Sequence, residues 1–230
     1  MTQDQEGNEH MMTNVLVTVQ NPRSPIAEAY RGLRTNLTFS SLDRPLRSML
    51  ITSAGPEEGK STVLANLAVV EAQAGRQVIV VDADLRRPRQ HELFGLSNAT
   101  GLTTLLADEK GDPASFLQTT SVPGLRVLTT GPLPPNPAEL LASQRMTAAL
   151  TGLCALANLV LLDAPPIVVV TDAAILASQV DGVLLVVNAN GTRREHAQRA
   201  HQLLAKVNAR VVGSVLNNAA PDRSLQTYYK

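Results

Sequence analysis

Residues 53–62 read Ser-Ala-Gly-Pro-Glu-Glu-Gly-Lys-Ser-Thr, between an apolar run at 49–51 and a helix-like run that starts at Ser61. A strand, a glycine-bearing loop and a helix in this order are the context of a phosphate-binding loop, in which backbone N–H groups and the helix N-terminus surround phosphate oxygens. Lys60 is expected to reach the β- and γ-phosphates of a nucleotide, and the Ser61 hydroxyl to bind magnesium. The strict pattern has glycine where this chain has Ala54. The alternative is a Gly/Pro turn that contains Gly-Lys-Ser by chance.

The composition excludes several classes of function. Of the 230 residues, 44% are hydrophobic and 3% aromatic, so aliphatic side chains must fill a large core. The formal net charge is zero, unlike the basic surface of a nucleic-acid-binding domain. A single cysteine, Cys154, excludes a disulfide framework or a C-x-x-C metal site. Because the polar start has no signal-peptide core and no run of 18 apolar residues exists, the simplest compartment is the cytoplasm.

Short apolar runs alternate with helix-like stretches along the chain. Several runs are continuous in Val and Leu, which is typical of strands buried on both faces of a parallel sheet. The pattern predicts an α/β fold with a doubly wound, mostly parallel sheet and helices on both faces. The predicted strands are 49–53, 78–81, 125–128, 159–162, 183–187 and 211–216, and the predicted helices are 26–40, 61–74, 137–156, 171–178 and 192–207.

We predict a single domain at 21–218, preceded by a flexible N-terminal segment at 1–20 and followed by a flexible tail at 219–230. The tail carries Tyr228 and Tyr229 within the last three residues of the chain. A free polar tail is a poor place for an aromatic side chain that only packs. The alternative is a C-terminus that docks its aromatic rings on the body of the domain.

Two predicted strands end in aspartates. Asp82 and Asp84 follow the strand at 78–81, and Asp163 follows the strand at 159–162. If the chain stays extended after the first of these strands, the side chains of Asp82 and Asp84 point the same way. Magnesium takes one or two carboxylates together with phosphate oxygens, so this set is suited to a nucleotide-bound metal. Each aspartate alone could instead lie in a solvated turn.

Glu28, Arg31 and Arg34 recur every three residues in the predicted helix 26–40, which places them on one face. Spacing alone is compatible with a solvated face that carries one local ion pair. It is also compatible with a mixed-charge strip that meets another subunit.

Together, these motifs resemble those of the bacterial tyrosine kinases, cytoplasmic autokinases that serve capsular and exopolysaccharide synthesis. Residues 54–61 resemble the Walker A motif of that family, and residues 161–166 resemble its Walker B motif. Asp82-x-Asp84-x-Arg86 resembles its Walker A-prime motif. The implied fold is that of a P-loop NTPase of the MinD/ParA type. The implied function is an ATP-dependent protein-tyrosine autokinase that regulates polysaccharide synthesis or export.

The resemblance also implies roles for individual residues. Lys60, Asp82 and Asp84 are the implied catalytic residues, with Asp82 accepting the tyrosine proton late in phosphoryl transfer. Ser61, Asp84 and Asp163 are the implied magnesium residues. Arg86 either holds the aspartates or meets the acidic product. The residues expected to contact ATP are Ala54, Gly55, Pro56, Glu57, Glu58, Gly59, Lys60, Ser61, Thr62 and, for the base, Asn217.

The motif Glu28-x-x-Arg31-x-x-Arg34 resembles the oligomerisation motif that packs catalytic domains of the family into a ring. Tyr228 and Tyr229 are the implied phosphoacceptors, presented to neighbouring subunits. The chain departs from the family in two ways: tails usually carry several tyrosines, and many relatives have glycine at the position of Glu57.

The implied partners are a membrane adaptor of the polysaccharide co-polymerase type, which recruits the kinase to the inner face of the cell membrane, other copies of the chain, and a cognate tyrosine phosphatase. No nucleic-acid partner is expected. A partitioning or cell-division switch ATPase of the ParA/MinD type is the main alternative, although such proteins place a lysine where this chain has Gly55. A regulator that binds ATP with little kinase activity is a second alternative. An iron–sulfur carrier needs paired cysteines, which this chain lacks.

Overall fold

The computed structural model describes residues 16–220. Its centre is a seven-stranded sheet in the order β3-β4-β2-β5-β1-β6-β7. All neighbouring strands are parallel except β3, which runs antiparallel to β4. The strands are β1 Ser48–Ser53, β2 Val78–Asp82, β3 Gln118–Thr119, β4 Leu125–Leu128, β5 Leu159–Asp163, β6 Gly182–Asn188 and β7 Val211–Asn217.

Helices cover both faces of the sheet, which confirms the predicted fold class. Successive residues of a strand face opposite sides, so Leu50 packs in one apolar cluster while Met49 and Ile51 pack in the other. The helices are α1 Val17–Gln20, α2 Pro25–Ser40, α3 Lys60–Gln73, α4 Gln90–Phe94, α5 Leu102–Ala107, α6 Pro137–Leu141, α7 Gln144–Leu156, α8 Asp172–Ala177 and α9 Arg194–Lys206. None of the helices within residues 16–220 is long and apolar enough to cross a membrane.

The six predicted strands lie within one residue of the observed bounds. The two-residue strand β3 was not predicted because Gln118 and Thr119 give no apolar run. The helices α1, α4 and α5 and the 3-10 turn Pro113–Phe116 were also missed, since four to six residues are too few to show a helical period.

One predicted helix is wrong. The stretch 137–156 forms two helices, α6 and α7, which are separated by Ala142 and Ser143. The Ser143 hydroxyl accepts a hydrogen bond from the backbone N–H of Met146 at 3.2 Å, and this N-cap starts α7 as a separate helix.

The folded body begins before residue 21, where we placed its start. Thr18, in α1, is fully buried, and its N–H and hydroxyl donate to Asn66 Oδ1 at 3.1 and 2.8 Å. Asn66 lies in α3, so residues 16–20 are packed on the domain. The rest of the predicted N-terminal segment, 1–15, and the tail at 221–230 with Tyr228 and Tyr229 lie outside the described residues.

Candidate functional site

The loop between β1 and α3 has the backbone of a phosphate-binding loop. Gly59, immediately before α3, has φ +85°, a left-handed conformation that glycine adopts without strain. A Cβ added at Gly59 would lie 2.2 Å from Asn217 Nδ2, so a side chain here would displace the Asn217 amide. Glu57 also has a positive φ, +58°, a backbone conformation that glycine adopts more readily than glutamate.

The Glu58 carboxylate forms two hydrogen bonds within the protein. The side chain is buried, Oε2 accepts from the N–H of Ala54 at 3.0 Å, and Oε1 accepts from the Thr192 hydroxyl. Thr192 precedes α9 and was not singled out from the sequence. The carboxylate of Glu58 therefore braces the loop, and the predicted contact of Glu58 with ATP stays a prediction.

Asn217, the last residue of β7, also holds the loop. Its Nδ2 donates to the carbonyl of Glu58 at 2.9 Å, and the residue lines the cavity beside the loop. The predicted contact with the adenine base stays a prediction.

Lys60 lies between two of the predicted aspartates. Its Nζ is 2.8 Å from Asp84 Oδ2 and 3.2 Å from Asp163 Oδ1, and it donates to Ser61 Oγ at 3.2 Å. Burial alone would lower the pKa of Lys60, but the charges of Asp163 and Asp84 reverse this, so that the net pKa is raised. The ammonium group is therefore charged at neutral pH and offsets the two carboxylates.

Asp82 is fully buried beside Asp163, its register partner across β2 and β5. Its Oδ2 accepts from the backbone N–H groups of Arg89 and Gln90 at 2.9 and 2.8 Å, whereas Oδ1 is buried without a hydrogen-bond partner among the described residues. Burial and the charge of Asp163 raise the pKa of Asp82 to about 8, although the Gln90 N–H and the charge of Lys60 lower it. Asp82, Asp84 and Asp163 thus meet at one edge of the sheet, as the positions of the strand ends predict.

A cavity of about 930 Å³ opens at this edge. One wall is polar and includes Lys60, Ser61 and Asp84, while Val17, Tyr30 and other apolar side chains of the first two helices form another wall. It is lined by Leu16, Val17, Gln20, Ile26, Tyr30, Pro56, Glu57, Glu58, Gly59, Lys60, Ser61, Thr62, Asn66, Asp84, Arg87, Arg89, Leu93, Pro166, Asn217 and Asn218.

The oxygen donors here suit magnesium better than a softer metal. Within residues 16–220, no three His, Cys, Asp or Glu side chains form a group that could hold a metal ion by themselves. A nucleotide-bound magnesium does not need such a group, because phosphate oxygens and water complete its coordination. The Ser61 hydroxyl and the carboxylates of Asp84 and Asp163, which all contact the Lys60 ammonium, fit that arrangement.

Asp172 and Gln90 also belong to the site and were not predicted, whereas Arg86, which contacts Asp172, was. The Arg86 guanidinium donates to Asp172 through two bonds, Nε to Oδ2 at 2.8 Å and Nη2 to Oδ1 at 3.0 Å. Asp172 is fully buried at the start of α8, so Arg86 ties the loop after β2 to that helix. Gln90 Nε2 donates to Asp163 Oδ2 at 2.8 Å and to the carbonyl of Ser61 at 3.2 Å.

The residues of the α2 strip are divided between two environments. Glu28 and Arg31 form an ion pair at 2.8 Å on the surface, and Arg31 also donates to the carbonyl of Pro22 at 2.6 Å. Arg34 instead turns towards α3, where its Nη1 donates to the carbonyl of Val70 at 3.3 Å.

Known proteins resemble this chain over most of its length. A ParA family model, described as NUBPL iron-transfer P-loop NTPase, matches residues 47–222. Tyrosine-protein kinase YwqD from Bacillus subtilis (strain 168) is 44% identical over 90% of this chain and 86% of YwqD. Putative tyrosine-protein kinase CapB from Staphylococcus aureus is 39% identical over 90% of this chain and 91% of CapB.

Solved structures give the same result. The chimerical protein CapA2B2 matches with a TM-score of 0.84 and 38% identity over 90% of each chain. The kinase domain of Escherichia coli tyrosine kinase ETK matches with a TM-score of 0.82 and 35% identity over 90% of this chain and 82% of that one. The cell-division ATPase MinD from Pyrococcus furiosus, at 21% identity and a TM-score of 0.62, shares the fold alone. The chain therefore belongs to the P-loop NTPases and, among them, to the bacterial tyrosine-protein kinases, the family that its motifs predict.

Proposed function

We propose that this kinase transfers the γ-phosphoryl group of magnesium-bound ATP to Tyr228 and Tyr229 in the tails of neighbouring subunits, and that it regulates capsular or exopolysaccharide synthesis. The observation that carries the proposal is the position of the Lys60 ammonium between Asp84 and Asp163, at the start of the helix that follows the glycine-bearing loop. A lysine in this place neutralises phosphate charge as well as carboxylate charge.

The chain's own groups bind and orient the nucleotide. Backbone N–H groups of the loop surround phosphate oxygens, and the Lys60 ammonium can exchange a carboxylate contact for one to the β- and γ-phosphates. Ser61, Asp84 and Asp163 would hold the magnesium ion. When bound, magnesium neutralises charge on the phosphate oxygens. Because the transition state of phosphoryl transfer is loose, positioning and charge stabilisation account for most of the catalysis.

Asp82 would accept the proton of the tyrosine hydroxyl. As the phenolic oxygen bonds to phosphorus, the bond from phosphorus to the ADP oxygen breaks and the hydroxyl proton passes to the carboxylate. The carboxylate accepts the proton late, once the bond to phosphorus is forming and the phenol has become acidic. Burial and the charge of Asp163 raise the pKa of Asp82 and favour its protonated form, whereas the charge of Lys60 acts against them. Its Oδ1, without a partner among the described residues, is the oxygen we assign to this step.

The remaining proposals concern partners. The exposed ion pair of Glu28 and Arg31 supports a ring in which α2 meets a neighbouring subunit. A membrane adaptor of the polysaccharide co-polymerase type would recruit the ring to the inner face of the cell membrane, and a cognate phosphatase would reverse the reaction. Each phosphate adds a charge of about −1.5 to −2. Phosphorylated tails should therefore leave a site lined by aspartates, and the ring should loosen.

The test is an incubation of the purified protein with magnesium, ATP and an adaptor peptide, in which phosphotyrosine and free phosphate are both counted. Phosphotyrosine that disappears in the double variant Tyr228→Phe/Tyr229→Phe, with ATP binding unchanged, is the expected result. Phosphotyrosine that persists in this variant at the parent level would show that the acceptors lie elsewhere. Free phosphate alone would favour a switch ATPase, and neither product would favour an ATP-binding regulator.

A further inference from the structure

Gln90 contacts all three motifs of the site. Its backbone N–H donates to Asp82 Oδ2 at 2.8 Å, and its carboxamide donates to Asp163 Oδ2 at 2.8 Å and to the carbonyl of Ser61 at 3.2 Å. The residue is fully buried, at the first position of α4. It thus joins the loop–helix junction and the end of β5 through its side chain and the end of β2 through its backbone N–H.

The hydrogen bonds fix the orientation of the Gln90 carboxamide. Both of its close partners, a carboxylate oxygen and a backbone carbonyl, can only accept hydrogen bonds at neutral pH. The amide nitrogen must therefore face them, and the amide oxygen must point away. Gln90 Oε1 is buried without a hydrogen-bond partner among the described residues. Packing alone would not require a glutamine that leaves its amide oxygen unpaired.

We propose that Gln90 is a positioning residue of this kinase, which orients the Asp163 carboxylate for the metal-bound nucleotide. With Oδ2 held by the amide of Gln90, Oδ1 of Asp163 is left facing Lys60. The second bond, to Ser61, fixes the distance between that carboxylate and the first turn of α3. The inference rests on the proposed function in one respect, the role of Asp163 in holding magnesium.

The size of the effect follows from the role. Residues that hydrogen-bond to a metal ligand without contacting the metal typically change metal affinity or activity by about 10–100-fold when they are removed. Gln90→Met keeps the length of the side chain and removes its N–H donor. We expect this variant to bind magnesium and a non-hydrolysable ATP analogue about 10–100-fold more weakly, while its affinity for the same analogue without magnesium stays within about twofold of the parent.

The experiment measures the two affinities by equilibrium titration and then kcat and KM for phosphotyrosine formation. Gln90→Leu serves as a second variant, since it keeps an apolar side chain of similar volume and loses the donor, and it should fail in the same way. Gln179→Met is the matched control. Gln179 Nε2 donates to the carbonyl of Leu141 at 3.0 Å, away from the aspartates, so this control reports the thermal destabilisation from losing one structural amide.

The proposal is supported if both Gln90 variants lose magnesium-dependent affinity and kcat, with KM for the acceptor unchanged and a melting temperature close to that of Gln179→Met. It is overturned if either variant keeps magnesium-dependent affinity within about twofold of the parent. It is also overturned if affinity with and without magnesium falls equally, because Gln90 would then be a purely structural residue. If the parent forms no phosphotyrosine, the proposed function fails, whereas the titrations still decide the role of Gln90.

Discussion

At the carboxyl edge of the sheet, Lys60 is 12% exposed and contacts two carboxylates from two different strand ends, whereas on α2 Arg31 is 32% exposed and contacts a carboxylate three residues away. Both regions contain acidic and basic residues that belong to recognisable sequence motifs. The first is assembled only when the sheet forms, and the second exists within a single helix. The difference decides how much each contact can contribute to stability and to catalysis.

The two ion pairs differ in their contribution to stability because they differ in exposure to solvent. Breaking a buried ion pair by removing one partner leaves an uncompensated charge, which costs about 3–5 kcal/mol. An exposed pair on one helix contributes about 0.3–0.5 kcal/mol. Substitutions in the two regions should therefore separate cleanly, with the edge of the sheet affecting folding and activity together and the surface of α2 affecting neither within one subunit.

The largest effect is expected for Lys60→Met. The substitution leaves Asp84 and Asp163 without their shared cation, so the free energy of unfolding at neutral pH should fall by about 3–5 kcal/mol. Phosphotyrosine formation should fall by about a hundredfold or more. Urea unfolding and a phosphotyrosine assay measure the two effects.

Lys206→Met, at an exposed position of α9, is the control and should change stability by less than about 0.5 kcal/mol. Activity near the parent level in Lys60→Met would contradict the proposed role of this lysine.

The next effect is expected for Arg86→Ala. Loss of the two bonds to Asp172 leaves a buried carboxylate without its cation and frees the loop after β2 from α8, so stability should fall by about 1.5–3 kcal/mol. We expect kcat to fall about tenfold, since Asp84 lies in this loop and Asp82 immediately precedes it.

The control for this arginine is Arg145→Ala, which removes a cation paired with the exposed Glu109 at 2.9 Å. It should leave kcat unchanged. The double variant Arg86→Ala/Asp172→Ala should be less destabilised than the sum of the two single variants, because each removes the same pair. Additive losses would show that Arg86 and Asp172 act separately.

These two regions also show what the sequence could predict. The loop at 53–62 and the aspartates after two apolar runs were found because the carboxyl ends of parallel strands meet at one edge. Gln90, Asp172 and Thr192 were missed. Their partners lie 73, 86 and 134 residues away in sequence. The three missed residues lie near the starts of helices, and the local sequence pattern there does not predict contact with a distant carboxylate or cation. Short helices were missed for the same reason, since packing and not periodicity specifies them.

A smaller effect should distinguish the two arginines of the α2 strip, which consists of Glu28, Arg31 and Arg34. Arg34→Ala removes a bond to the carbonyl of Val70 and one of the cations that lower the pKa of the buried Glu71, which burial raises. We expect a loss of about 1 kcal/mol in the free energy of unfolding. Arg31→Ala should cost less than about 0.5 kcal/mol and instead weaken self-association if the exposed pair meets a neighbour.

Sedimentation of both variants alongside urea unfolding separates the two roles. Equal destabilisation by Arg31→Ala and Arg34→Ala would remove the distinction that we draw between the arginine that pairs with Glu28 at the surface and the arginine that bonds to α3. If Arg31→Ala associates as the parent does, the proposed ring interface lies elsewhere.

The smallest effect concerns backbone strain in the loop. Glu57 has φ +58°, where a residue other than glycine costs about 1–2 kcal/mol, while the extra freedom of glycine in the unfolded chain offsets about 0.5–1 kcal/mol. Glu57→Gly should therefore stabilise the protein by up to about 1 kcal/mol. The variant should also bind ATP more tightly, because a carboxylate is removed from the wall of the cavity beside the loop. Glu57→Ala removes the charge but keeps the strain, so it should improve ATP binding without improving stability.

Asn208→Gly supplies the matched control for strain. Asn208 has a similar φ of +53° at the end of α9, away from the cavity, and asparagine tolerates this conformation better than glutamate does. A stabilisation by Glu57→Gly that exceeds that of Asn208→Gly in urea unfolding would assign the strain to the loop. A loss of stability in Glu57→Gly would mean that the glutamate is held without strain, and that glycine at this position in the family serves the approach of phosphate instead.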